Sequence, residues 1–133
     1  MKELIHQLTH ENVNDIFVSG YIDSSDPAHF HPLYERLFFI MTESIYEVKI
    51  VDGVIHFNKI NKINVWFDIE DDDTFSIMSL YSQIFKTEQQ VKILQIDYAG
   101  IPFSKMSVTY SDSKREMVFK LNPLNFFGFT IES

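Results

Sequence analysis

The sequence predicts an α+β fold dominated by a mainly antiparallel, strongly twisted β-sheet, either curled into a half-barrel or split into two packed sheets. Several runs alternate apolar and polar residues with the period of two that half-buried strands require. Turn residues separate these runs, and helical spacing is limited to the amino end and one later segment. The 133 residues contain no repeat, linker or low-complexity stretch, which predicts a single domain over residues 1–133.

The amino-terminal stretch predicts a short helix that ends at about residue 11. Leu4, Ile5 and Leu8 lie at helical spacing, so their side chains would share one apolar face. His6 and His10 would lie one turn apart, but Gln7 follows His6, so the metalloprotease motif His-Glu-x-x-His is not present. We therefore interpret both histidines as helix-surface residues.

A strand is predicted next, over residues 15–23, where the β-branched and aromatic content is high. Gly20 interrupts this run and indicates a bulge. Residues 24–32 contain two prolines and small polar residues, which predicts a loop. The apolar run over residues 36–42 suits either a strand or a helix, and the pattern alone does not separate the two.

The clearest hairpin in the chain has Asp52-Gly53 as its turn. Both residue types tolerate the positive φ that a type I′ turn needs at its two central positions. Placing the turn there puts apolar side chains on one face and polar side chains on the other, as a half-buried antiparallel pair requires. The predicted pairs are Val51 with Val54, Ile50 with Ile55, Lys49 with His56, and Val48 with Phe57.

Residues 63–69 also alternate and predict a further strand. Its apolar face would carry Ile63, Val65, Phe67 and Ile69, and its polar face Asn64, Trp66 and Asp68. Residues 75–85 begin with strand spacing, but Leu80/Ile84 and Tyr81/Phe85 are spaced i,i+4, so a passage into a second helix is an open alternative.

The carboxyl-terminal third predicts three more stretches of strand. Residues 91–98 form one strand, and residues 105–121 form a hairpin in which two apolar sets face each other. A last strand over residues 125–132 follows a chain break at Asn122-Pro123. The facing sets are Met106, Val108 and Tyr110 against Met117, Phe119 and Leu121, and the last strand would place Phe127, Phe129 and Ile131 on one face.

Charge and composition exclude several classes of function. Eleven basic against nineteen acidic residues give a net charge of −8, which repels nucleic acid and anionic membranes and attracts a basic protein. The absence of cysteine excludes disulfides, thiolate catalysis and cysteine-bound zinc. No glycine-rich phosphate loop or nucleophile elbow occurs, so no cofactor is expected. No segment has the roughly 20 apolar residues of a membrane span or resembles a signal peptide, which predicts a cytoplasmic protein.

The densest charge is an acidic run of five carboxylates within six residues, which we call the acidic run: Asp68, Glu70, Asp71, Asp72 and Asp73. A calcium loop of the EF-hand type would need glycine where Asp73 stands and glutamate where Ser79 stands, so a metal is not expected. An exposed turn would not desolvate the carboxylates enough for acid–base chemistry. Two interpretations are left, a solvated turn that guards strand edges and a binding surface for a basic partner.

A second motif, His29-Phe30-His31, would place both imidazoles on one face of an extended segment, where Asp23 and Asp26 could add oxygen ligands. Matches of two residues are common by chance, so a surface loop anchored by Phe30 is the preferred interpretation. No metal site is therefore predicted.

Three classes of function agree with these features. The first is a non-enzymatic protein-binding protein, because the small, acidic, cysteine-free chain resembles bacterial immunity proteins that cover the active site of a basic toxin domain. This resemblance is one of general type and assigns no residues. The second is a protein that binds a small apolar ligand inside an aromatic-lined sheet, and the third is a small cone-shaped α+β enzyme. An unpaired strand edge would also allow a homodimer.

Overall fold

The structure, a computed structural model, describes residues 2–9, 11–125 and 128–133. Within these ranges the chain forms ten strands and two short helices, and every strand pairing is antiparallel. The predicted antiparallel sheet is therefore confirmed. In chain order the elements are α1 (Lys2–Leu8), β1 (Asn12–Ile22), β2 (Phe30–Pro32), β3 (Arg36–Met41), β4 (Ile45–Val51), β5 (Val54–Ile60), β6 (Thr74–Ser79), α2 (Tyr81–Phe85), β7 (Val91–Asp97), β8 (Met106–Ser111), β9 (Glu116–Pro123) and β10 (Phe129–Glu132).

The eleven-residue strand β1 is the centre of the sheet. Its first half lies between β7 and β3, and its second half lies between β6 and β2. Phe17, for example, pairs with Phe38 of β3 on one edge and with Ser79 of β6 on the other. The longest path through the sheet is β10-β9-β8-β7-β1-β3-β4-β5. The sheet ends at β5 and β10, and the homodimer through a strand edge stays a prediction.

The sheet is curled around a single cluster of buried side chains. Strands β3 and β9 are four positions apart, about 19 Å in a flat sheet, yet the ring centroids of Phe39 and Phe119 lie 6.2 Å apart. We call this side the concave face and the opposite side the outer face. Phe85 of α2 fills the concave face and packs edge-on against Tyr110 and Phe119. The sheet does not close into a barrel.

Two backbone hydrogen bonds join strands that are distant along the sheet at one rim of the curl. The backbone N–H of Phe129 in β10 donates to the carbonyl of Tyr34, 3.0 Å away, before β3. The backbone N–H of Phe103, between β7 and β8, donates to the carbonyl of Gly53 at the tip of the β4–β5 hairpin, 2.8 Å away. Strands that are distant along the sheet path are thereby joined through their connections.

Both predicted hairpins are confirmed in register. The β4–β5 pairs are those expected from an Asp52-Gly53 turn, and both turn residues have positive φ, 53° and 77°. In the β8–β9 hairpin Met106, Val108 and Tyr110 pair with Leu121, Phe119 and Met117. Asp112 closes that turn by accepting the backbone N–H groups of Lys114 and Arg115. The hydrogen bond from Lys114 is the main reason why the pKa of Asp112 lies below its ordinary value.

The structure decides between strand and helix in the two segments for which the sequence pattern allowed either. Residues 36–41 are strand β3, and the run after β6 passes into helix α2, as the i,i+4 spacing allowed. The amino-terminal helix is present but ends at Leu8. His10 and Phe127, which the sequence placed on a helix face and a strand face, lie outside the described residues.

Other sequence-based expectations were wrong. Residues 63–69 are not a strand: no backbone pairing is recorded for them within the described chain, and Val65 and Ile69, assigned to a buried face, are exposed. Gly20 is not a bulge; the irregularity lies between Val13 and Asp15. Glycine is needed at position 20 because a Cβ there would lie 2.0 Å from the carbonyl oxygen of His31.

Two boundaries also differ from the expectation. Phe30–Pro32, assigned to a loop, is the short strand β2, which pairs with the end of β1. Asn122 and Pro123 do not break the chain but complete β9, where they pair with Thr130 and Phe129. Proline is tolerated there because the pairing of β9 with β8 ends at Leu121, so Pro123 has no strand partner on that side among the described residues. No helix in the described ranges is long and apolar enough to cross a membrane.

Candidate functional site

The candidate site lies on the outer face, where residues 61–73 cross the sheet. We call these residues the crossing segment. Strand β5 is at one end of the sheet, but β6 pairs with the edge of β1 that faces away from β3. The chain must therefore pass over β4, β3 and β1 between these strands. An irregular connection of about this length in a compact domain is uncommon and is often functional.

Trp66 fixes the crossing segment to the sheet. Its indole N–H donates to the hydroxyl of Ser19 in β1, with 2.7 Å between Nε1 and Oγ. Its ring also covers the guanidinium of Arg36 in β3, whose Cζ lies 4.5 Å from the ring centroid. Ser19 is fully buried, so the hydrogen bond satisfies a polar group that would otherwise be isolated from water. These two contacts hold the middle of the segment in one place.

Beneath Trp66 a charged pair occupies the outer face. Arg36 Nη1 lies 3.0 Å from Glu47 Oε2, and Asn58 donates to the other carboxylate oxygen at 3.5 Å. Glu47 is only 8% exposed, and its neighbour across the strands, Phe38, is 1% exposed. Both side chains project away from the concave core, so their burial means that the crossing segment covers this part of the outer face.

Aromatic rings continue from Trp66 toward the end of β1. Phe67 packs against Trp66 with centroids 5.0 Å apart, and against Phe75 of β6 at 6.0 Å and Tyr21 of β1 at 6.4 Å. His31 of β2 stacks on Tyr21 at 4.8 Å. These rings form a small second apolar layer under the crossing segment. Phe67 directly precedes Asp68, the first residue of the acidic run.

The acidic run occupies the second half of the crossing segment. Asp68, Glu70, Asp71 and Asp72 are exposed, and Asp73 is half-buried. The backbone N–H of Asp73 donates to the carbonyl of Glu70 and forms a turn. Within the described ranges these side chains have no hydrogen-bond or ion-pair partner, and no cluster of metal-ligating side chains is found. The run is a solvated, negatively charged turn next to packed aromatic rings.

Exposed apolar side chains accompany the carboxylates. Val65 is 47% exposed and Ile69 is 36% exposed, and both lie on the crossing segment itself. Ile77 of β6, 41% exposed, pairs with Ser19, the hydrogen-bond partner of Trp66. The outer face therefore presents apolar and acidic side chains together.

Asp23 organises the His29-Phe30-His31 motif through hydrogen bonds. His31 Nε2 lies 2.6 Å from one carboxylate oxygen of Asp23, and the other oxygen accepts the Ser25 hydroxyl and the backbone N–H groups of Ser25 and His29. The Ser25 hydroxyl, followed by His31, holds the pKa of Asp23 far below its ordinary value. Within the described residues, Asp26 makes no hydrogen bond or ion pair with this motif.

This Asp23–His31 pair is also a poor catalytic dyad. The His31 side chain is 45% exposed, so the pair is on the surface and not inside a cavity. The nearby hydroxyl of Ser25 donates to the carboxylate and makes no bond with the imidazole, whereas an activated serine would donate to the histidine. The pair closes the loop after β1 and fixes Tyr21 through stacking.

Sequence reasoning found the acidic run but missed the Trp66 anchor, together with Ser19, Arg36 and Glu47. One signal for the anchor was present in the pattern. Trp66, the only tryptophan in the chain, fell on the polar face of the predicted strand, beside Asn64 and Asp68. A large aromatic side chain in a polar register is inconsistent with a half-buried strand, and this conflict indicated that the segment packs in another way.

In comparisons with protein-family models, with curated proteins and with solved structures, nothing matches this chain. The function must therefore be inferred from the residues of the outer face themselves.

Proposed function

We propose that the chain is a non-enzymatic, cytoplasmic protein-binding protein that neutralises a basic partner through its acidic surface, as a bacterial immunity or inhibitor protein neutralises a toxin domain. One observation carries the proposal: the acidic run and the exposed apolar Val65 and Ile69 share one segment, which Trp66 anchors to the sheet. Binding would engage Asp68, Glu70, Asp71, Asp72 and Asp73.

The arrangement has the parts that protein interfaces need. Apolar side chains near the centre of an interface supply most of the binding free energy, while charges at its rim set orientation and association rate. Here Val65 precedes the carboxylates, and Ile69 lies between Asp68 and Glu70. Anchoring by Trp66 lowers the entropy that would otherwise be lost when an irregular segment is ordered on binding.

A basic partner is favoured over other proteins by charge. The whole chain carries −8, and the acidic run adds a local concentration of that charge on an exposed turn. Toxin domains that act on nucleic acid present basic active-site surfaces, because they must bind phosphates. An acidic segment placed over such a surface would exclude the substrate.

The test is a pull-down at low and high salt, with purified basic toxin domains and the products of neighbouring genes as prey. Replacing Asp71, Asp72 and Asp73 with asparagine should weaken binding by about tenfold or more at low salt and reduce its salt dependence. The matched control, E43Q/E88Q/E116Q, removes the same charge from exposed sites elsewhere and should bind nearly as the wild type does. Equal losses in both triple variants would contradict a role for the acidic run.

The apolar contribution is tested separately with Val65→Ser and Ile69→Ser. Both substitutions should weaken binding without changing its salt dependence, because they remove apolar contact and no charge. Neither residue is buried, so the variants should keep the stability of the wild type. If affinity is unchanged in both variants, the centre of the interface lies elsewhere.

A second candidate, the binding of a small apolar ligand, is supported by a separate cleft. About 320 Å³ of space lies between α2 and β10, and its walls include Leu80, Ile84, Phe129 and Ile131. This volume is at the low end for ligand sites. Native mass spectrometry of freshly purified protein should reveal a copurified ligand, and detection of the bare mass alone would count against this candidate.

A further inference from the structure

We propose that a second cleft on the outer face, between the crossing segment, the start of β3 and the end of β4, binds a small organic anion that carries one aromatic ring, such as an aryl carboxylate or an aryl phosphate. The cleft has a volume of about 330 Å³ and is bounded by Arg36 and Lys49 of the sheet and by Trp66 and Phe67 of the crossing segment. This site does not depend on the protein partner proposed above.

The strand register decides which side chains enter the cleft. Arg36 and Lys49 are paired directly, and residues paired across antiparallel strands project to the same face. Glu35 and Ile50 also bound the cleft, but they occupy the alternate register, in which the Ile50 side chain is buried in the concave core. The Ile50 N–H donates to the Glu35 carbonyl, which extends the same ladder by one residue. Ile50 therefore contributes only main chain, so Arg36 and Lys49 are the two cations of the cleft, and Glu35, a partly exposed turn residue, is the one carboxylate residue that also bounds it.

The two cations are only partly neutralised. Arg36 is paired with Glu47, but within the described residues Lys49 has no hydrogen-bond or ion-pair partner. Arg36 and Lys49 are like charges on directly paired residues, an arrangement that destabilises a sheet. Lys49 is therefore, among the described residues, an unpaired cation next to a second cation, on a chain whose net charge is −8. An anionic ligand bound here would reduce the repulsion between these two cations.

The remaining walls of the cleft favour a ligand with an aromatic ring. Trp66 and Phe67 meet edge to face, with an interplanar angle of 76°, so they form a corner of two rings. A ligand ring placed in this corner can pack against either ring surface. Val51, which is 37% exposed, closes the cleft at the hairpin side. The volume is small, and it suits a ligand of one ring with one anionic group.

The acidic run opposes such a ligand. Asp68 follows Phe67 directly and is exposed, so its charge lies within a Debye length of the cleft. Removing this carboxylate should therefore strengthen anion binding, whereas removing Lys49 should weaken it. The two substitutions should therefore change the affinity for the anion in opposite directions.

Trp66 is the only tryptophan, so its fluorescence and its single indole N–H resonance report directly on this cleft. We would titrate the full chain with benzoate, phenyl phosphate, inorganic phosphate and phenol. Benzoate or phenyl phosphate should give a saturable change, and inorganic phosphate and phenol should bind at least about tenfold more weakly, because each lacks one of the two recognised parts. The stronger of the first two anions identifies the anionic group.

In Lys49→Gln, binding of the preferred anion should fall by about tenfold or more, as expected when a charge-assisted hydrogen bond is lost. The control is Lys59→Gln, which removes an exposed lysine on β5 at a position paired with Tyr46, on the concave side, and should change binding by less than about twofold. Asp68→Asn should tighten binding. No saturable change with either aromatic anion, equal binding of phenol, or equal effects of the two lysine variants would overturn the proposal.

Discussion

The two faces of the sheet are made by the same strands and differ in almost every other respect. The concave face is a continuous apolar core in which Phe39, Phe85, Tyr110 and Phe119 pack ring against ring. The outer face holds a partly buried ion pair, a buried serine and a few aromatic rings, all beneath one irregular segment. On the concave face many apolar contacts share the stabilisation, whereas the outer face depends on a few polar and aromatic contacts.

This difference between the two faces indicates which of them can carry binding residues without loss of stability. Substitutions in a close-packed core are resisted because each leaves a cavity or a clash. The crossing segment is attached through Trp66 and Phe67, so its exposed side chains are less constrained by packing and can serve binding. The acidic run and the cationic cleft both lie within or beside this segment, on the side of the sheet that the core does not constrain.

The largest effect is expected from the core. Phe119→Ala should lower the free energy of unfolding by about 3–5 kcal/mol, because the side chain is fully buried and contacts Phe39, Phe85 and Tyr110. Val118→Ala, on the same strand but 45% exposed on the other side, should change it by about 0.5 kcal/mol. Urea unfolding monitored by circular dichroism provides both values. Similar losses in the two variants would mean that the faces do not differ as described.

A smaller but more specific effect is expected at the anchor. Trp66→Phe keeps an aromatic ring but removes the donor to Ser19, and leaving that buried hydroxyl unsatisfied should cost about 1–3 kcal/mol. Adding Ser19→Ala should restore part of the loss, because both polar partners are then absent. A double-mutant cycle by urea unfolding measures the coupling. Additive losses would contradict the hydrogen bond as the attachment of the crossing segment.

The smallest effect concerns Asp23, whose pKa is lowered in the folded state by the Ser25 hydroxyl and by His31. A lowered pKa stabilises the fold above the ordinary value of 3.8, and this stabilisation is lost as the pH falls through the folded-state pKa. Asp23→Asn should therefore be less stable than the wild type near neutral pH, and the difference should narrow below pH 3.8. The control is Asp71→Asn, at an exposed position. Its free energy of unfolding should match that of the wild type both at neutral pH and at the acidic end of the range. Urea unfolding across this pH range measures the comparison, and a constant difference for Asp23→Asn would rule out the linkage.

The fold was largely predictable where one face of a strand is buried and the other is solvated. Alternation and turn chemistry then act together, which is why the registers of the β4–β5 and β8–β9 hairpins were predicted correctly from Asp52-Gly53 and from the paired apolar sets. The helical spacing of Leu80 with Ile84 likewise indicated α2. Residues 63–69 misled the prediction because the alternation of residue types did not match burial: the adjacent Trp66 and Phe67 both pack on the sheet, whereas Val65 and Ile69 are exposed.

The candidate site was predictable only in part. The acidic run is visible as composition, but the attachment of its segment to the sheet is not, since Ser19 and Arg36 lie far from it along the chain. The sequence alone determines the antiparallel sheet, the hairpin registers, the acidic character and the position of the charge, because each depends on residues that are close neighbours. The order of the strands, the curl of the sheet and the path of residues 61–73 over its outer face were decided only by tertiary structure. They depend on contacts between distant residues, such as Phe39 with Phe119 and Trp66 with Ser19, which no local pattern specifies.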